Sequence, residues 1–118
     1  MDAESQAESQ HEREARAARN QALFRNVNEK IKELNETFQS VTRTFTIACE
    51  CADTGCTEML EISPEEYELV RSEPRHFAVL PGHVYPDVEV VVRDGATHVV
   101  VQKTGYAAEA AVFLDRRA

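Results

Sequence analysis

The chain has 118 residues, 42% of them apolar and 29% charged, a composition suited to one soluble domain with a modest core. Its formal net charge is −8, and residues 41–118 carry thirteen acidic against seven basic side chains, so a polyanion such as nucleic acid would be repelled. No apolar run approaches the roughly 20 residues of a membrane helix, and the acidic start MDAESQAESQ has the chemistry of neither a signal nor a transit peptide, so the expected location is cytoplasmic.

Residues 1–10 hold no apolar side chain larger than Ala after Met1 and are expected to form a disordered acidic tail. Residues 11–41 predict a long amphipathic helix. Phe24, Val27, Ile31, Leu34, Phe38 and Val41 follow each other at spacings of three and four, continued upstream by Ala17 and Asn20. This stripe either packs on its own domain or forms a coiled-coil-like dimer seam. The flanking Asn28, Lys30, Asn35 and Thr37 offer little charge pairing for a dimer, and Asn20 would set its register.

Residues 42–105 predict an α+β domain. In TRTFTIACEC, Phe45, Ile47, Cys49 and Cys51 alternate with polar or small residues, the period of a strand. ADTG is turn chemistry, since Asp53 can accept from its own following backbone and Gly55 tolerates positive φ. TEMLEI then gives the returning strand of a hairpin with the cysteines near its tip. In ISPEEYELVRSEP, Ser63 is an N-cap, Pro64 takes the first helical position, Glu66 completes a capping box, and Ile62 and Tyr67 form a staple. Pro74 ends this short helix, expected over residues 64–72, with Tyr67, Val70 and Leu69 toward the core. HFAVLPGHVYP supplies another strand and a Pro81-Gly82 turn. Residues 88–92 and 99–101 form a valine-rich hairpin around RDGA, with Val90 and Val92 opposite Val99 and Val101 and both faces covered. Residues 106–118 are a tail or a short helix. The whole is a long N-terminal helix followed by a small antiparallel sheet of about four or five strands.

Every cysteine lies in CECADTGC. Cys49 and Cys51 are two apart on a strand, so their sulfurs share a face, and the turn brings Cys56 back toward them. Three thiolates suit a zinc ion that needs one more donor. His83, after the Pro-Gly turn, is the preferred fourth ligand and His76 the next; His11 and His98 are further histidines, and Asp53 or Glu58 the carboxylate alternatives. Inert buried thiols and a metal-free redox pair are the competing readings. The surrounding Glu50, Asp53 and Glu58 would raise thiol pKa values, which weakens the redox pair and favours a cation. No H-E-x-x-H, deaminase, phosphate-loop or G-x-S-x-G pattern is present.

The runs LFRNVNEKI, CECADTGC, EYELVRSEPRHFAVLPGH and VVVQKTG resemble a family of short bacterial proteins from high-GC organisms, over residues 18–105. In that family C-x-C-x4-C and P-G-H recur together, which implies Cys49, Cys51, Cys56 and His83 as one zinc set. The family carries no assigned activity. The expectation is a non-catalytic, zinc-stabilised interaction or regulatory protein, with a protein partner or homodimer through the N-terminal helix. A redox-responsive thiol/zinc switch is the alternative, and a small zinc-dependent enzyme the third.

Overall fold

The computed structural model describes residues 10–37, 44–95 and 97–117. The expected acidic tail, Phe38 and Val41 fall almost entirely outside them. The architecture is α+β. Helix α1 (Gln10–Thr37) leads into the hairpin strands β1 (Phe45–Ala48) and β2 (Met59–Ile62), then helix α2 (Pro64–Arg71) and strand β3 (His76–Val79). Strands β4 (Glu89–Asp94) and β5 (Val99–Lys103) follow, and helix α3 (Gly105–Phe113) comes last. No described helix is long and apolar enough to cross a membrane.

Among the described residues all strand pairing is antiparallel, but the five strands divide into two sheets, β1-β2 and β3-β5-β4. One core joins them. Phe45, Ile47, Leu60 and Ile62 come from the first sheet, Phe77 to Val79 and Val99 to Val101 from the second, and Tyr67 and Val70 from α2. The N-cap and the staple residues of α2 behave as expected: Ser63 Oγ accepts from Glu66 N at 3.0 Å, and Ile62 and Tyr67 are both buried. The Glu66 carboxylate itself lies 3.2 Å from His98 Nε2. Leu69 faces solvent rather than the core.

The valine hairpin departs from expectation. Val91 pairs with Val101 and Val90 with Gln102, while a bulge absorbs Val92. Of the two strands of this hairpin only the central β5 is covered on both faces; Val90, Val91 and Val92 on the edge strand β4 are exposed. The bulge and the charged Arg93 and Asp94 are features that discourage edge-to-edge pairing.

Helix α1 departs further. Its docked face is formed by Ala18, Gln21, Ala22, Arg25 and Asn28, all buried, whereas Leu23, Val27 and Leu34 are exposed. Residues 100° apart per step put Leu23 and Leu34 roughly opposite Arg25. Among the described residues of the expected stripe, only Ile31 packs against the core cluster, and it is partly buried. The helix is therefore held by polar bonds. Arg25 donates to Pro74 O (2.7 Å) and Ala111 O (3.0 Å) and stacks 4.6 Å above the Phe77 ring. Glu29 pairs with Arg71 and Arg117, and buried Arg71 pairs in turn with Asp115, tying α1 to α2 and to the end of the chain.

Candidate metal centre

Strand β1 ends at Ala48, one residue before the first cysteine. Cys49, Glu50 and Cys51 follow the strand and are held by two adjacent backbone amides: Cys49 N donates to Glu58 O (3.0 Å) and Glu50 N to Ala78 O (2.9 Å). The turn that returns the chain is an Asx turn, with Gly55 N donating to Asp53 Oδ1 (2.9 Å) and Cys56 N to Asp53 O (3.1 Å). Positive φ is found not at Gly55 but at Gly82 (φ 87°). There, His83 N donates to Leu80 O at 3.0 Å, closing a turn with Pro81 and Gly82 at its centre. This is the type II pattern, in which the third residue must tolerate positive φ. It projects the His83 ring toward the cysteines.

The donor atoms of Cys49, Cys51, Cys56 and His83 all lie within 4.8 Å of one another, and the set could hold a metal ion. His83 Nδ1 is 3.6 Å from Cys49 Sγ and 3.7 Å from Cys56 Sγ. All three cysteines are free thiols; Cys49 and Cys51 are buried and Cys56 is half-buried. The other ring nitrogen of His83 meets Glu58 Oε2 at 3.0 Å. Backbone amides also serve the sulfurs. Leu80 N donates to Cys49 Sγ at 3.2 Å, and the amides of Asp53 and Glu58 stabilise the thiolates of Cys51 and Cys56.

A hydrogen bond from Cys49, helped by one from His83, holds the Cys51 thiol down at about 5. Cys49 is pushed up by its hydrogen bond to Cys51 and by burial, and Cys56 by burial first. His83 is raised, chiefly by its hydrogen bond to Cys51.

The remaining histidines lie elsewhere. His76 Nε2 is bonded to Gln102 Oε1 at 3.0 Å, and His98 sits beside Glu66. His11 is in α1, and its side chain lies outside the described residues. Asp53 works as a turn residue and Glu58 as a partner of the imidazole, and neither belongs to the cluster of donors.

Two residues that hold the site are invisible to motif reading. Glu50, between the cysteines, is fully buried. Its carboxylate accepts from Asn28 Nδ2 (2.8 Å), Tyr67 Oη (2.7 Å) and Ala78 N (3.0 Å). Burial pushes the Glu50 carboxyl up, against the pull of these three donors. Asn28 reaches over from α1 and treats Ala48 as a strand partner would, accepting from its N–H (2.8 Å) and donating to its carbonyl (2.9 Å). Gln21 donates to Glu50 O at 2.9 Å. The outer edge of β3 is satisfied by the same segment, with the Glu50 carboxylate on Ala78 N and the Cys49 sulfur on Leu80 N. A charged residue set between two buried cysteines was the one signal in the sequence. An acidic side chain there must either face water or find several donors inside.

No protein family model matches the chain, and no curated protein or solved structure matches it either.

Proposed function

We propose that the chain is a non-catalytic, zinc-stabilised interaction or regulatory protein, with one Zn2+ held by Cys49, Cys51, Cys56 and His83. The carrying observation is the spacing of the donors. Zinc bonds of about 2.3 Å to sulfur and 2.0–2.1 Å to nitrogen, at tetrahedral angles, give a sulfur–nitrogen edge of about 3.6 Å. Two of the three edges at His83, those to Cys49 and Cys56, measure 3.6 and 3.7 Å. Glu58 supports the fit, because an imidazole that binds metal through one nitrogen is usually oriented by a carboxylate on the other. Three N–H donors to sulfur offset the charge of three thiolates around a divalent ion. Membership of the bacterial family in which the cysteine motif and P-G-H recur together would carry the same four donors.

Four protein donors fill a tetrahedron and leave no position for a water, which favours a structural over a catalytic ion. Zinc would lock the hairpin tip to the loop after β3 and so complete a small core. The interaction surface is the outward apolar side of α1, open to a protein partner or a second copy. A reducing, cytoplasmic setting keeps the thiols available.

The test is metal analysis of protein purified without chelator and kept reduced, with Co2+ substitution to read the ligands. One equivalent of zinc is expected, together with thiolate-to-cobalt absorption that weakens in Cys56→Ser and shifts in His83→Ala. Protein that neither carries nor takes up one equivalent sinks the proposal. The half-buried Cys56 supports a second reading, a redox-responsive switch. Peroxide would take two electrons from two thiolates, forming one disulfide and two waters with two protons taken up, and zinc would leave. Zinc retention through a peroxide titration that oxidises a free-thiol control removes that reading.

A further inference from the structure

Phe113, the last residue of α3, has 87% of its surface exposed. A ring of this size left in water is apolar surface that burial would stabilise. The ring forms part of the wall of a cavity of about 330 Å³ between α1 and α3, which Ala15, Arg19, Tyr106, Glu109, Ala110 and Leu114 also line. A projecting ring and an apolar socket thus lie on the same face. Arg19 and Glu109 both line the socket, both are exposed, and among the described residues neither makes an ion pair.

We infer that two copies of the chain meet on this face. Phe113 of each copy enters the α1–α3 socket of the other, and Arg19 of one lies beside Glu109 of the partner subunit. A surface that carries both a knob and its hole, and both signs of charge, is its own complement under a two-fold rotation. Small side chains at positions 15 and 110 let the two backbones approach. The charges also have a task to perform, because two copies of net charge −8 repel, and a pair of opposed ion pairs both offsets that repulsion and sets the register. The face continues along α1, where Ala15, Arg19, Leu23 and Val27 follow four residues apart, with Leu23 58% and Val27 42% exposed. That continuation carries the contact toward the roughly 800 Å² per partner of a stable interface.

The inference makes specific the partner side of the proposed function and stands apart from the metal. Its experiment is light scattering after size exclusion over a range of concentrations, on full-length metal-loaded protein, with metal content and far-UV circular dichroism measured for every variant. The wild type is expected to reach twice the monomer mass as concentration rises. Phe113→Asp should remain monomeric. Arg19→Glu and Glu109→Arg should each weaken association about tenfold or more, and the double exchange should restore it, a recovery that loss of a merely structural residue would not show. A wild type that stays monomeric, a Phe113→Asp variant that still dimerises, or a double exchange no better than the single ones would overturn the inference. Unchanged metal content in such a result would leave the metal reading intact, whereas missing metal in a protein that dimerises would do the reverse.

Discussion

Replacing Asn28 by Ala isolates what holds the long helix to the metal-bearing segment. The side chain makes three buried bonds: it accepts from Ala48 N and donates to Ala48 O and to Glu50 Oε2. Two are neutral, with a net contribution of about 0.5–1.5 kcal/mol each; the one to a carboxylate contributes about 1.5–3 kcal/mol. The variant should therefore lose about 2.5–6 kcal/mol, a large share of the roughly 5–15 kcal/mol typical of a whole domain. For a chain of this size that is a melting temperature lower by about 10–24 °C. Asn28→Asp keeps the volume and the acceptor for Ala48 N but sets oxygen against Glu50 and Ala48 O, so it should cost more than Ala. Gln21→Ala, which removes one bond to Glu50 O, should cost about 1 kcal/mol. Urea and thermal unfolding of the three metal-loaded variants provide the measurement. An Asn28→Ala loss below about 1 kcal/mol, or an Asp variant more stable than the Ala one, would refute the polar docking of α1.

Gly82→Ala places a Cβ at φ 87°, where nothing crowds it but the backbone disfavours it. It should cost about 1 kcal/mol and, by tilting His83, weaken cobalt binding; an unchanged cobalt titration would show that the turn does not aim the ring. Chelation under reducing conditions should lower the melting transition sharply or abolish it, since a structural zinc contributes about 10–16 kcal/mol in small domains; an identical melt with and without metal contradicts a structural ion. Acid should also weaken the fold. Hydrogen bonds from Arg117 and Lys32 hold the Glu68 carboxyl down at about 2, below its ordinary 4.5. Its contribution is thus complete above about pH 4.5 and is lost as pH falls toward about 2. Glu68 is half exposed, so the effect should be small and should shrink in high salt. Glu68→Gln should flatten the pH dependence of the urea midpoint in that window, and a slope equal to the wild type's would count against the pairing.

Much of the fold was legible because its signals are local. Ser63, Pro64, Ile62 and Tyr67 specify α2 within one turn of chain, and the absence of Gly and Pro from residue 11 to 40 specifies α1. The three cysteines were legible as a set for the same reason, since a bend of eight residues brings them together whatever the rest of the chain does. His83 was favoured by its Pro-Gly turn and by the resemblance; its position beside the sulfurs depends on β3 lying next to the cysteine segment. The valine register was not legible, because hairpin pairing depends on a bulge at Val92 that alternation cannot reveal.

What the residues by themselves determined, then, is the type of most elements and the cluster of thiols, because capping, alternation and close spacing act over a few neighbours. Which side of α1 faces inward was decided only in three dimensions. Periodicity marks an apolar stripe, but the segment that α1 meets presents the open backbone of Ala48 and the buried carboxylate of Glu50. Desolvating those groups without partners would cost more than burying leucines gains. The polar side of the helix turned toward them, and the leucines were left outside.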